Sequence, residues 1–241
     1  MLAGEITNKK SAWGYIFVFP AYLYYIPTIT TFVIYQIMLF NPLLIDVNFA
    51  TVMLNFSIGL LTTLLLFVLL KDFIIDNIKS FFLKPFSNLV WSCTLGISLM
   101  YAMSLLGSLI IVLVLGTDAV ETGSSNQQLF EALQSVGPIF MFLQAVIFAP
   151  ILEELLFRGI IFRSLSNRNI YLAHFISAFS FGLVHVYSYL VAGDLTQLIY
   201  MVMYILMGLA LSIAYQKKGT IIVPIIIHLL NNGIAFIVSY M

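Results

Sequence analysis

Charge is what this 241-residue sequence has least of: ten Lys and Arg, ten Asp and Glu, 8% charged residues in all. A soluble domain is about 25% charged and about 45–50% apolar, whereas 62% of this chain is hydrophobic. That balance excludes an ordinary soluble fold. With formal charge zero and no basic excess, it also argues against a nucleic-acid partner. Cysteine is nearly absent as well; Cys93 stands alone, so no intramolecular disulfide can form. There is no low-complexity tract, no short-period repeat, no H-E-x-x-H zinc motif and no serine in a nucleophile motif.

What is present is long apolar stretches. A membrane-spanning helix needs about 20 mostly apolar residues, and seven such segments are expected near residues 13–40, 49–70, 89–115, 139–161, 171–190, 195–215 and 220–240. The fold class is therefore an all-α, polytopic transmembrane helical bundle embedded in the lipid bilayer. The first segment follows Lys9-Lys10 but is far longer than a signal-peptide core and has no small-residue cleavage site, so it is expected to stay on the mature protein.

The breaks between segments sort by charge. Lys9 and Lys10, then Lys71, Lys79 and Lys84, then Arg163 and Arg168, then Lys217 and Lys218 all fall at one end of the bundle. The other breaks carry Asp46, then Asp118, Glu121 and Glu131, then Asp194. The positive-inside rule makes the basic end cytoplasmic. The expectation is a multi-pass cell-membrane protein with its amino terminus inside and Met241 outside. Residues 116–128 read as a flexible external loop. Residues 73–83 have Asp72, Asp76, Lys79 and Ser80 on one side, which suits a connecting helix or one lying along the inner membrane surface. Gly59, Gly96, Gly107 and Gly208 suit close helix packing, and His174 suits the cytoplasmic interface.

Against that apolar background, Glu153, Glu154 and Arg158 sit within the fourth segment, with His185 in the fifth and His228 in the seventh. An ionisable group at membrane depth costs roughly 2.5–3.5 kcal/mol on insertion scales and normally faces a cavity or a partner. Glu154 and Arg158 are four apart and share a helix face, with Glu153 rotated about 100° away. Arg158 can thus neutralise Glu154 and leave Glu153 to point elsewhere. Pro150 removes a backbone hydrogen bond, and if it restarts the helix at its first turn, the positive end of the dipole falls near both carboxylates. At about 1.5 Å per residue, Glu153 and His228 each lie roughly 15 Å from the basic end, which predicts substrate entry from the cytoplasm or inner leaflet. His228 and Asn232 share a face, with Asn231 beside them in the alternative register. A carboxylate with an imidazole can activate water, and an imidazole with an amide can stabilise an oxyanion. One carboxylate and two histidines also make a metal-ligand set.

At these residues the chain resembles a known family. Glu153-Glu154-Leu-Leu-Phe-Arg158 matches E-E-x-x-x-R, Phe181-Gly-Leu-Val-His185 matches F-x-x-x-H, and His228-Leu-Leu-Asn-Asn232 matches H-x-x-x-N. In this order, on three apolar segments, they resemble the CAAX-protease and bacteriocin-processing (CPBP, or Abi) intramembrane endopeptidases. The resemblance implies two parts of one continuous membrane domain: residues 1–135, with three helices and the external loop, and residues 136–241, a catalytic core of four helices around an active-site cavity. It implies hydrolysis of a peptide bond in a membrane-associated peptide or protein. Glu153 would be general base with His185, His228 and Asn232 would hold the oxyanion, and Glu154, Arg158 and Phe181 would support the site. The family has been described both as metal-dependent and as glutamate-type. Without H-E-x-x-H no cofactor is favoured; in the metal-dependent alternative Glu153, His185 and His228 would bind a divalent ion such as zinc.

Three other readings compete. The charges could be a buried packing network, though one arginine cannot neutralise two carboxylates. They could serve a proton-coupled transporter or a non-catalytic membrane scaffold, since intramembrane Glu and His also relay protons; the single cluster and the lack of paired broken helices weigh against transport. Rhomboid-like serine catalysis lacks its serine.

Overall fold

The structure, a computed structural model, describes residues 26–40 and 46–239 together with Leu2. Every regular element among the described residues is helical. In chain order these are α1 (Ile26–Phe40), α2 (Val47–Leu69), α3 (Lys71–Phe82), α4 (Pro85–Leu115), α5 (Thr117–Thr122), α6 (Ser125–Val136), α7 (Pro138–Ser166), α8 (Ile170–Val191), α9 (Gln197–Lys218) and α10 (Ile222–Val238). Five of them, α2, α4, α7, α8 and α9, are long and apolar enough to cross a membrane. The protein is thus an all-α, multi-pass membrane bundle. The expected seven segments comprise these five, the 17-residue α10 and the first segment, of which residues 13–25 lie outside the described residues.

Local chemistry sets the helix ends. Asp46 accepts from Asn48 N and Phe49 N at the start of α2, and Asn169 does the same for Tyr171 N and Leu172 N at the start of α8. These side chains satisfy amide groups that a first turn leaves without partners. Gly219, at φ 74°, stops α9, and its N–H closes onto the Tyr215 carbonyl. Only glycine adopts that conformation without strain.

In lipid, apolar burial supplies little driving force, so close packing and hydrogen bonds must hold helices together. The four glycines of the sequence reading sit at such contacts. A Cβ on Gly208 would lie 3.1 Å from the Ala178 Cα of α8, and one on Gly107 would lie 2.7 Å from the Met203 Cα of α9. The main core gathers the second half of α7 with α8, α9, α10 and Phe73 of α3. A smaller cluster of Val52, Leu133, Met141, Val146 and Phe236 lies toward the acid-loop end. Leu64, Leu65 and Val68 of α2 and Leu105, Leu109 and Leu113 of α4 stay exposed, as a lipid-facing surface requires.

Two connecting segments differ from, or add to, the sequence reading. Residues 116–128 are largely helical rather than a loop. Gly116 and Gly123, both at positive φ, end α4 and α5, and the buried Ser124 then caps α6 by accepting from Gln127 N. Their polarity reflects a cap on the bundle, with Ser124 Oγ 2.9 Å from the Tyr204 hydroxyl of α9. α3 exposes Asp72, Asp76 and Lys79 and buries Phe73 and Phe81, in line with its amphipathic pattern. It also buries Asn77, whose Oδ1 accepts from Ile221 N at 2.7 Å and whose carbonyl accepts from Thr220 Oγ1 at 2.8 Å. That staple fixes the start of α10. His174 joins the same end, bridging Ser212 Oγ and Gln216 Oε1 on α9.

Candidate active site

α7 carries the acidic pair through an irregular ladder. Residues Leu143–Phe148 and Leu155–Phe162 are π-helical, on either side of an α-helical Ala149–Glu154. π turns are uncommon and concentrate at functional sites. Pro150 falls where the ladder is already loosened, so its missing N–H does not break the helix. The helix runs through Pro150, so the condition for a fresh amino-terminal dipole there is not met. The loosened ladder instead offers carbonyls to neighbouring helices: Ala145 accepts from Asn232 Nδ2 at 2.9 Å, and Phe157 from Ser177 Oγ at 3.0 Å.

Glu154 and Arg158 are both fully buried, and Arg158 Nη1 donates to Glu154 Oε1 at 2.8 Å. The guanidinium also donates from Nη2 to the Gly208 carbonyl at 2.7 Å and lies 4.8 Å from the centre of the Phe181 ring. Gly208 earns its place twice, since the same residue allows α8 and α9 to approach. The Glu154 Oε1 atom has a second partner, His228 Nδ1, at 2.9 Å. The other imidazole nitrogen, Nε2, then stands 3.9 Å from Glu153 Oε2. His228 therefore links the two carboxylates.

His185 Nδ1 is 2.7 Å from the Phe181 carbonyl. A carbonyl can only accept, so Nδ1 carries the proton and Nε2 of the neutral ring is an acceptor. Phe181 packs on both imidazoles, at 4.7 Å from His185 and 5.6 Å from His228. The His185 ring also stacks on Tyr204, with centroids 4.3 Å apart and planes within 19°. Asn232 Oδ1 accepts from Asn231 Nδ2 at 3.1 Å, which ties the two asparagines together.

Glu153, Phe181, His185, His228, Asn231 and Asn232 all line one cavity of about 600 Å³. Glu154 and Arg158 lie behind it. The wall is wider than α7 to α10, the four helices expected to enclose it: α2 gives Asn55, α4 gives Tyr101 and Ser104, and α6 gives Asn126, Gln127 and Phe130. Tyr204, Gln144 and the α6 amides were not singled out by the sequence reading, because none belongs to a motif. The aromatic spacing Tyr200–Tyr204 on an apolar helix was the only signal available. Among the described residues no group of three or more His, Cys, Asp or Glu side chains is arranged to hold a metal ion. The side chains as placed do not fit such a centre.

The geometry describes a largely apolar chamber of about 600 Å³ inside a membrane bundle, into which carboxylate, imidazole and amide groups converge. That is the class of site a membrane-embedded peptidase needs. Residues 135–234 match the family model described as type II CAAX prenyl endopeptidase Rce1-like. The matched stretch takes in α7, α8 and α9 and most of α10, and with them the motif residues of the site. The chain is 33% identical over 116 residues to a protein of Bacillus subtilis named putative membrane peptidase YdiL, covering 48% of this chain and 43% of that one. It is 29% identical over 161 residues to the membrane-embedded CAAX protease MroQ of Staphylococcus aureus, covering 64% of this chain and 60% of that one. The chain thus aligns with about half the length of these relatives. No solved structure matches it.

Proposed function

We propose that the protein is an intramembrane endopeptidase of the CPBP type, hydrolysing a peptide bond in a membrane-associated peptide or protein by a glutamate-type mechanism. The observation that carries this reading is the convergence of Glu153, His185, His228 and Asn232 on one cavity. The fixed tautomer of His185 supports a role beside Glu153 in taking a proton from water. The hydroxide formed adds to the scissile carbonyl carbon. The Asn232 amide has two N–H groups, one of which is held by the Ala145 carbonyl; the second donates to the oxyanion. His228, held by Glu154 through Nδ1, presents Nε2 to the same space and donates there when doubly protonated. The proton taken from water passes to the leaving nitrogen, and the C–N bond breaks to give a carboxylic acid and an amine, between which the remaining proton is shared as carboxylate and ammonium. The amino terminus is assigned to the cytoplasm from the basic loops.

The test is a comparison of membrane-associated peptides from cells carrying the wild-type protein and Glu153→Gln. The substitution preserves volume, so the variant is expected to insert and fold, and to lose cleavage by roughly 10²–10⁴-fold, the usual contribution of a general base. Near-normal turnover on a verified substrate removes Glu153 from the mechanism.

A further inference from the structure

The cavity is not symmetrically placed between the two ends of the bundle. α7 lines it with Met141, Gln144, Ala145, Ala149 and Glu153 and with nothing beyond. Lining residues on α8 begin at Phe181, those on α9 stop at Met207, and those on α10 begin at His228. No residue of 154–180 or 208–227 takes part. Each of these helices therefore contributes only the half nearest the acid-bearing breaks. Asn126 and Phe130 from α6, and Val238 at the end of α10, extend the wall to that end. Leu129 and Val238 are themselves exposed, so the wall reaches the surface there.

The opposite half is closed. Phe157, Phe162, Ala173, Ser177, Leu211 and Tyr215 have no exposed surface at all. Below them the Asn77 staple joins α3 to the turn before α10. A substrate coming from the basic end would have to part this core. From the acid-loop end, His185 lies only about 9 Å below the end of α8, at 1.5 Å per residue.

We infer that the cavity is entered from the end of the bundle bearing the acidic breaks, so that substrate reaches Glu153 from the extracytoplasmic side or laterally from the outer leaflet. This rests on the peptidase reading and on the orientation set by the basic residues, and it reverses the cytoplasmic entry predicted by counting depth alone. The occupant is an extended peptide segment uncharged where it lies in the cavity. Among the described residues Glu153 is the only carboxylate on the wall, and Asn55, Asn126, Gln127 and Asn231 can pair with a peptide backbone among apolar neighbours.

Cysteine accessibility tests this on the full chain after Cys93→Ser, which removes the one native thiol. Ala149→Cys and Ala235→Cys report on the cavity wall, Thr122→Cys marks the acid-loop end and Lys217→Cys the basic end. A charged, membrane-impermeant maleimide is added to intact cells or to inverted vesicles. Both wall cysteines are expected to react from the side at which Thr122→Cys reacts, outside intact cells, and to be silent from the Lys217→Cys side. Reaction of the wall cysteines from the Lys217→Cys side overturns the proposal, as does silence from both sides while the two markers react. Reaction of Thr122→Cys only in inverted vesicles overturns the extracytoplasmic assignment. Labelling needs no catalysis, so finding no difference in membrane-associated peptides between cells carrying the wild-type protein and cells lacking it would defeat the peptidase reading while leaving the route of entry standing.

Discussion

From Leu155 to Phe162 every residue of α7 is buried, while the first half of the same helix gives five residues to a cavity wall. The boundary falls at Glu153 and Glu154, adjacent in sequence and assigned to opposite environments. Glu154 is turned into the packed half, where Arg158 and His228 meet it. Glu153 is turned to the cavity. One stretch of helix can therefore hold two carboxylates at depth, because the closed half supplies the counter-charge and the open half supplies room for water.

The comparison breaks most severely at Arg158. Arg158→Ala leaves Glu154 buried without its guanidinium and frees the Gly208 carbonyl. A loss of about 3–5 kcal/mol is expected, the scale of a buried pair deprived of one member. Thermal unfolding in detergent reads it, and a midpoint equal to wild type would mean that the closed half does not depend on this pair. In the open half, Asn232→Ala should lower turnover by roughly 10²–10³-fold, as the removal of an oxyanion donor does. A normal rate there together with an inactive Asn231→Ala would assign the role to the neighbouring amide.

How far these halves were legible follows from the kind of contact involved. The Glu154–Arg158 bridge is local, set by helical spacing, and could be read from the chain. So could the caps at Asp46 and Asn169 and the close approach at Gly208. The link from His228 to Glu154 spans 74 positions and depends on the rotation of α7, which its two π-helical stretches alter. No periodicity argument that assumes a uniform 100° step can place it. The polar run at 116–128 was misread for a related reason. Ser124, the Ser125 N–H and the Asn126 amide bond to Tyr204 and Gln197 of α9, and a sequence shows polarity without showing the partner.

A finer contrast concerns Tyr204, whose ring and hydroxyl belong to different contacts. Tyr204→Phe keeps the stack on His185 and removes the bond to Ser124, so about 1 kcal/mol of stability should go, the net scale of one hydrogen bond, with turnover nearly unchanged. Tyr204→Ala should lower turnover as well. Equal turnover in the two variants would show that the stack does not position His185.

The smallest effect is expected in the exposed turn between α8 and α9. The Thr196 hydroxyl, then the Gln197 amide, hold the Asp194 carboxyl below the ordinary aspartate range. A carboxyl with a lower pKa in the folded state stabilises the turn above its unfolded value, about 3.9, and that contribution is lost as pH falls through the folded value. Amide exchange at 195–197 should therefore quicken on acidification relative to Asp194→Asn. Identical profiles would mean that the carboxylate does not hold the turn.

α10 bears His228 and the asparagines on 17 residues, a rise of about 26 Å against a hydrocarbon core of about 30 Å. A helix that short pulls the bilayer thin around itself or draws headgroups inward. On the peptidase reading proposed above, the water consumed in hydrolysis would have less hydrocarbon to cross near Val238 than elsewhere around the bundle. Membrane thickness becomes a term in the chemistry, and turnover in vesicles of graded acyl length should fall as the bilayer thickens.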